Sequence, residues 1–122
     1  MKQIVLIFFG GGLGSAVRFG LGRWVNGLHG ANFPFGTLVV NVVACFVLGL
    51  IVGFTDHRQV WSQDVRVFWA VGFCGGFSTF STFSYETLTL MQQGLSVSAV
   101  IYTLVSVVLC LGSVWLGVAL AR

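Results

Sequence analysis

Charge is what this sequence has least of. Of its 122 residues only Asp56, Asp64 and Glu86 are acidic and six are Lys or Arg, so 7% are charged. A water-soluble domain carries about 25% charged residues, so this chain cannot clothe a soluble surface. The net charge of +3 would suit nucleic acid only if it were clustered. The six cations instead lie scattered at segment ends, where snorkelling and lipid headgroups account for them. Nucleic acid is therefore excluded as a partner. Cysteine is sparse too: Cys45, Cys74 and Cys110 are odd in number and far apart, with no pairing or metal spacing. They read as small packing residues. Catalytic groupings are also missing. His29 and His57 have no cysteine or carboxylate cluster beside them, and the glycines at 10–14 follow no strand and lack the Lys-Ser/Thr ending of a phosphate loop. An enzyme is not indicated.

What is abundant is apolar sequence: 57% of residues are hydrophobic and the mean hydropathy is +0.97. A run of about 18 or more apolar residues is a candidate membrane span. Residues 36–54, 67–85 and 95–121 qualify, and 4–24 is interrupted only by Arg18 and Arg23. The start resembles a secretory signal, but the apolar pattern continues through Val17, Phe19 and Leu21, which predicts a retained first helix. Four helices use nearly the whole chain, so residues 1–122 read as one multi-pass membrane domain with short loops. Pro34, the only proline, suits a helix entry. Trp61 and Trp69 flank the end of the one water-exposed loop, as interfacial tryptophans do. Lys2, Arg58, Arg66 and Arg122 would share one side of the membrane and Arg23, with Arg18, the other. That split specifies orientation only weakly and is compatible with insertion both ways. Four helices make too small a bundle to enclose a pore comfortably, so an oligomer is expected.

The third apolar run is the unusual one. Its centre, "GFCGGFSTFSTFS" at 72–84, repeats Phe-Ser-Thr after a glycine pair. Two adjacent glycines leave helical geometry at little steric cost, so the helix is expected to break at Gly75-Gly76. In hydrocarbon the freed backbone groups then need protein, water or an ion. Phe77, Phe80 and Phe83 spiral slowly around the helix, with Ser78, Ser81 and Ser84 on a matching spiral and Thr79 and Thr82 between. An aromatic stripe alone reads as packing. Five hydroxyls in seven residues change that, because ring edges are positive and, with hydroxyls alongside, form a neutral lining that favours an anion over a cation. A lining without fixed charge also avoids trapping the ion.

Other buried polar groups admit two readings each. Asn41 lies one turn beyond Thr37, facing the same way as Ala44, Cys45 and Leu48. It reads as interhelical glue, worth about 0.6–2 kcal/mol, or as part of a pathway. Tyr102, Ser106, Cys110 and Ser113 form a mildly polar stripe, and each serine can instead bond its own i−4 carbonyl. Arg18 either snorkels or draws an anion into the bundle; Glu86, near the end of its span, is an intramembrane functional candidate or a vestibule group. The spaced pairs Gly10/Gly14, Gly49/Gly53 and Gly72/Gly76 let backbones approach closely.

Together "GGGLGSAVRFGLGR", "GTLVVNVVACFVLG" and above all "GFCGGFSTFSTFSYE" resemble the CrcB/Fluc fluoride channels over nearly the whole chain. The resemblance implies an all-α integral membrane protein of four transmembrane helices in the cell (inner) membrane, assembled as an antiparallel, dual-topology homodimer with two fluoride pores. It implies a structural sodium ion at the dimer interface, held by the backbone carbonyls of Gly75 and Ser78 from both subunits. It implies a fluoride path along Asn41, Phe80, Phe83, Ser81, Thr82, Tyr102 and Ser106, with Thr37, Glu86 and Arg18 as further candidates and Phe77 as a packing residue. Ser78 stands where the family commonly has threonine, and Cys110 where a hydroxyl is expected. Fluoride that enters as neutral HF and ionises inside would leave passively through such a channel. Small multidrug exporters, also four-helix proteins, depend on a glutamate in helix one; here helix one has no acid. A non-transporting assembly protein would leave the hydroxyl-rich broken helix without a role.

Overall fold

The computed structural model describes residues 1–28, 33–58 and 62–121, with the side chains of 56–58 excepted. The elements are α1 (Lys2–Gly27), α2 (Phe35–Arg58), α3 (Gln63–Arg66), a π-helical stretch (Val67–Cys74), α4 (Gly75–Phe77), α5 (Ser81–Gln92) and α6 (Ser96–Ala121). No strand occurs among the described residues. Among the described residues three segments are long and apolar enough to cross a membrane: Lys2–Gly27, Phe35–Thr55 and Ser96–Ala121. The fourth expected crossing is carried in pieces by α3, the π-helical stretch, α4 and α5. Helix ends differ modestly from the apolar runs, since α1 continues past Trp24 to Gly27 and α2 starts at Phe35. Trp61, His29 and the His57 side chain fall outside the description.

Short polar signals set the ends. The Ser62 hydroxyl accepts the Val65 N–H and starts α3. Gly94, at φ +79°, closes α5: its N–H donates to the Met91 carbonyl and the next N–H, of Leu95, donates to the Leu90 carbonyl. That left-handed glycine cap satisfies carbonyls the helix end would otherwise strand. Lys2 and Asp64 pair at 2.8 Å across the start of α1 and α3, on the exposed surface.

Glycines fix how the helices meet. A Cβ at Gly14 would land on the Phe73 carbonyl, one at Gly76 on the Gly11 carbonyl, and one at Gly10 within 2.6 Å of the Phe68 carbonyl. Helix α1 therefore lies with its backbone directly against the 68–77 segment. On the other side of the bundle, a Cβ at Gly49 would strike the Val114 carbonyl and one at Gly53 would meet Ala121 and Val118. Both partners advance together, so α2 and α6 run parallel with Gly49 beside Val114 and Gly117. All three spaced glycine pairs are thus close-packing devices, as small-residue spacing predicts. Two buried clusters fill the interior: Leu38, Leu90, Ala99 and Tyr102, and Val40, Ala44 and Phe77.

One expectation is corrected. The helix does not break at Gly75-Gly76. Gly75 is helical, at φ −63° and ψ −38°, and the glycine pair lies within α4. The chain leaves helical geometry at Ser78 (φ −80°, ψ 155°) and resumes only at Ser81. The glycines are permissive of a break, but what decides its position is a competitor for the backbone hydrogen bonds, described next.

Candidate functional site

The competitor is Asn41, on α2. Its side-chain carbonyl accepts the Thr79 N–H at 2.8 Å, and its amide donates to the Thr79 carbonyl at 3.0 Å. One amide thus replaces both ladder bonds of Thr79, in the way a neighbouring backbone would. The hydroxyls of the Phe-Ser-Thr repeat complete the substitution. Ser78 donates its N–H and its hydroxyl to the Cys74 carbonyl, ending α4. The Thr79 hydroxyl accepts the Thr82 N–H, starting α5. Ser84 likewise places N–H and hydroxyl on the Phe80 carbonyl. Ser, Thr and Asn side chains disrupt helices by this local competition.

Beyond the break the carbonyls divide into two groups. That of Gly76 accepts from both Ser15 Oγ at 3.4 Å and Arg18 Nε at 3.3 Å. Those of Gly75 and Ser78 accept no backbone hydrogen bond among the described residues. They are hard oxygen donors beside a lateral face that the chain leaves open, for nothing lies within 4 Å of a Cβ built on Gly75. Among the described residues no group of three His, Cys, Asp or Glu side chains forms a metal site, so any cation here would rest on carbonyls.

The break opens a cavity of about 270 Å³ lined by Asn41, Cys45, Ser78, Thr79, Phe80, Phe83, Ser106, Val107 and Cys110. Its wall is largely apolar, with few polar groups pointing in. The Phe80 and Phe83 rings lie 5.6 Å apart at 37°. Phe83 continues to Tyr102 at 4.9 Å, and Tyr102 to Phe33 at 5.4 Å, a run of rings from the cavity into the core. Phe80 is 78% exposed at this cavity's edge, whereas Phe77 is 2% exposed and packs on Val40 and Ala44. Ser106 Oγ is the one buried side-chain polar atom without a hydrogen-bond partner among the described residues. In a low-dielectric site such a group costs about 1–3 kcal/mol, which a ligand able to accept its O–H would offset.

A second cavity, of about 180 Å³, lies across the Asn41–Thr79 contact. It brings together Arg18, Arg23, Asn26, Thr37, Thr82 and Glu86. Tyr102, fully buried, donates its hydroxyl to Glu86 Oε1 at 3.3 Å, and Thr37 lines the same cavity as Glu86. The expected site residues therefore fall into two sets. Asn41, Phe80, Phe83 and Ser106 meet in the larger cavity; Arg18, Thr37, Thr82 and Glu86 meet in the smaller; Tyr102 links toward the second set through Glu86. Ser81 lines neither, and its hydroxyl shares a hydrogen bond with Thr79 at 3.3 Å.

Residue reading alone missed Thr79 as the hub of the break, and missed Ser15. Ser15 and Arg18 are three apart and so share a helix face, a spacing that could have revealed their common carbonyl. It also missed that Cys110 stands in the cavity wall. The hydroxyl spiral proves less available than its count suggests, since Ser78, Ser84, Thr87 and Thr89 all donate to their own i−4 carbonyls.

Comparison with known proteins gives a consistent pattern. The sequence profile described as "CrcB-like protein, Camphor Resistance (CrcB)" matches residues 5–118. The chain is similar to a "Fluoride-specific ion channel FluC" of Geobacter metallireducens, 44% identical over all 122 residues and 98% of the relative. Proteins of the same description from Pelobacter propionicus, at 45% identity over 98% of this chain and 90% of the relative, and from Rhizobium leguminosarum, at 42% over 100% and 98%, are similar too.

Proposed function

This chain belongs to the CrcB-like family, and from that premise we propose that it is a passive, fluoride-selective channel of the cell membrane. The relatives are named as ion channels rather than enzymes. The observation that carries the reading is the larger cavity, where the unpartnered Ser106 hydroxyl faces the same space as Phe80 and Phe83.

The chemistry follows from what each group offers. Fluoride is small and strongly hydrated, so leaving water requires donors. Ser106 offers an uncommitted O–H. Asn41 has two amide protons; one is held by the Thr79 carbonyl, and the other remains for the cavity. Phe80 and Phe83 supply the positive edges of their rings. None of these is a full charge, so binding is favourable enough for entry and weak enough for exit, as conduction requires. Tyr102, Thr37 and Glu86 extend the polar track from there, with Thr82 and Arg18 on the same smaller cavity. Ser81, at the exposed start of α5, belongs to the path only at its mouth.

The functional unit we propose is an antiparallel, dual-topology homodimer with two pores. Two features support it. The weak asymmetry of basic residues gives no strong orientation, and Phe80 and Gly75 are exposed in the single chain, as residues awaiting a second copy would be. The Gly75 and Ser78 carbonyls fit a hard cation such as sodium at that interface, because oxygen donors without hydrogen-bond partners suit it. The ion would supply the charge compensation these dipoles lack in hydrocarbon, while Ser15 and Arg18 keep the Gly76 carbonyl turned to α1.

The test is fluoride efflux from liposomes holding the purified protein. Fast fluoride loss with little chloride loss is expected, with Phe80→Ile and Phe83→Ile each slowing it while the protein stays assembled. A folded sample that passes no more fluoride than empty vesicles would sink the proposal.

A further inference from the structure

Cys45 and Cys110, remote in sequence, meet in the structure. The parallel register of α2 and α6 sets Gly49 against Val114 and Gly117, and Gly53 against Val118 and Ala121. Stepping back one turn on each helix sets Cys45 against residues 110–113. Both cysteines are free, and both line the cavity that holds Phe80, Phe83 and Ser106. Cys45 also borders a smaller cavity, of about 140 Å³, which it shares with Cys74, Gly75 and Ser78; that cavity holds neither Phe80 nor Ser106, so the variant Cys74→Ala separates the two cysteine pairs.

Two thiols facing one cavity are an unusual wall for a hard anion. We propose that the Cys45–Cys110 pair is a binding site for a soft monovalent cation of the silver or cuprous type, and that its occupancy closes the anion path. Soft thiolate sulfur selects such ions, whereas carbonyl and carboxylate oxygen suit hard ones. A two-coordinate ion needs no third ligand, which matches two sulfurs with no carboxylate or imidazole in the same cavity wall. The step balances simply: each thiol releases one proton, two metal–sulfur bonds form, and the bis-thiolate carries one net negative charge. That charge, placed beside Phe80, Phe83 and Ser106, repels a permeating anion where the empty wall is neutral, and the metal also fills space. The block rests on the channel reading above; the binding site does not.

The experiment uses the full chain in liposomes, in chloride-free nitrate medium with a fluoride electrode and silver nitrate as the probe. Silver is expected to lower fluoride efflux about tenfold or more, and excess dithiothreitol to restore it. Cys45→Ala and Cys110→Ala, each judged against its own silver-free rate, lose the block; Cys74→Ala keeps it. Retained block at wild-type silver concentration in either single variant overturns the site, as does escape by Cys74→Ala. Equilibrium dialysis of the purified protein gives a readout independent of flux, with one silver ion bound per Cys45–Cys110 pair and two protons released, binding that both single variants lose and Cys74→Ala keeps. Silver binding by this pair in a chain that passes no fluoride overturns the channel reading alone; fluoride flux without such binding overturns this proposal alone.

Discussion

Helix α6 and the 63–92 segment are of similar length, and both carry glycines and spaced hydroxyls, yet α6 runs unbroken from Ser96 to Ala121 and the other does not. Glycine is not the difference. Gly112 and Gly117 sit inside α6, and Gly72, Gly75 and Gly76 are all helical in the broken segment. Nor is it the mere presence of hydroxyls, since Thr103 bonds the Ala99 carbonyl within an intact helix. What separates them is a side chain from elsewhere. Asn41 offers the Thr79 backbone a donor and an acceptor at once, and the hydroxyls on either side absorb the ends. A break inside a membrane is set by who supplies the replacement bonds.

That contrast can be tested by changing one side of it at a time. The largest effect is expected from crowding the α1 contact. Gly76→Val puts branched carbons where Gly11 backbone lies; overpacking of this kind costs about 1–3 kcal/mol or more, and loss of monodisperse protein on size exclusion is the outcome to look for. Asn41→Leu comes next. It removes two hydrogen bonds and strands two Thr79 backbone groups, at about 1–3 kcal/mol each, so both the melting temperature in detergent and the fluoride flux should fall. If the melt is unchanged, Asn41 does not hold the break.

Ser106→Ala is expected to move the two readouts in opposite directions. Removing a buried hydroxyl that has no partner relieves a penalty of about 1–3 kcal/mol, so the melt rises or holds while flux falls. A variant that melts lower contradicts the unpartnered state of Ser106. The smallest pair is the most discriminating. Gly112→Ala and Gly75→Ala both add a methyl where this chain has nothing within 4 Å, which by propensity alone stabilises a helix by about 0.5–1 kcal/mol. Gly112→Ala should show that small gain. Gly75→Ala should instead weaken the proposed dimer, read by cross-linking in liposomes. Equal behaviour of the two would remove Gly75 from any interface.

Much of the scaffold was legible in the chain itself. Runs free of charge located the crossings, and Gly10, Gly14, Gly49 and Gly53 announced close packing; the separation of Phe77 from Phe80 as a packing residue came from the family resemblance and not from the residues alone. The position of the break was not legible, because it depends on Asn41, 38 residues away, and the glycine pair drew attention to itself. The hydroxyl repeat was over-read for a related reason: a serine's composition does not reveal whether its proton is already given to an i−4 carbonyl. Cys45 and Cys110 were judged by their spacing along the chain, which carries no information about two parallel helices in register.

The backbone-to-backbone contact between α1 and the 68–77 segment has a bearing on motion. Where glycines bring two helices together, few side-chain rotamers lie between them to rearrange, so the pair moves as one rigid body. Helix α5 belongs to another body, resting on α6. Helix α2 is joined to α6 by the same kind of glycine contact, so the three-residue stretch at 78–80 is one of the places where the chain passes between the two, and the Asn41 amide, carried on α2, is the latch across it. Any rocking of one half against the other must first release Thr79. Its amide proton should therefore exchange more slowly than those of its neighbours in the break, and it should speed up in any state where the halves part.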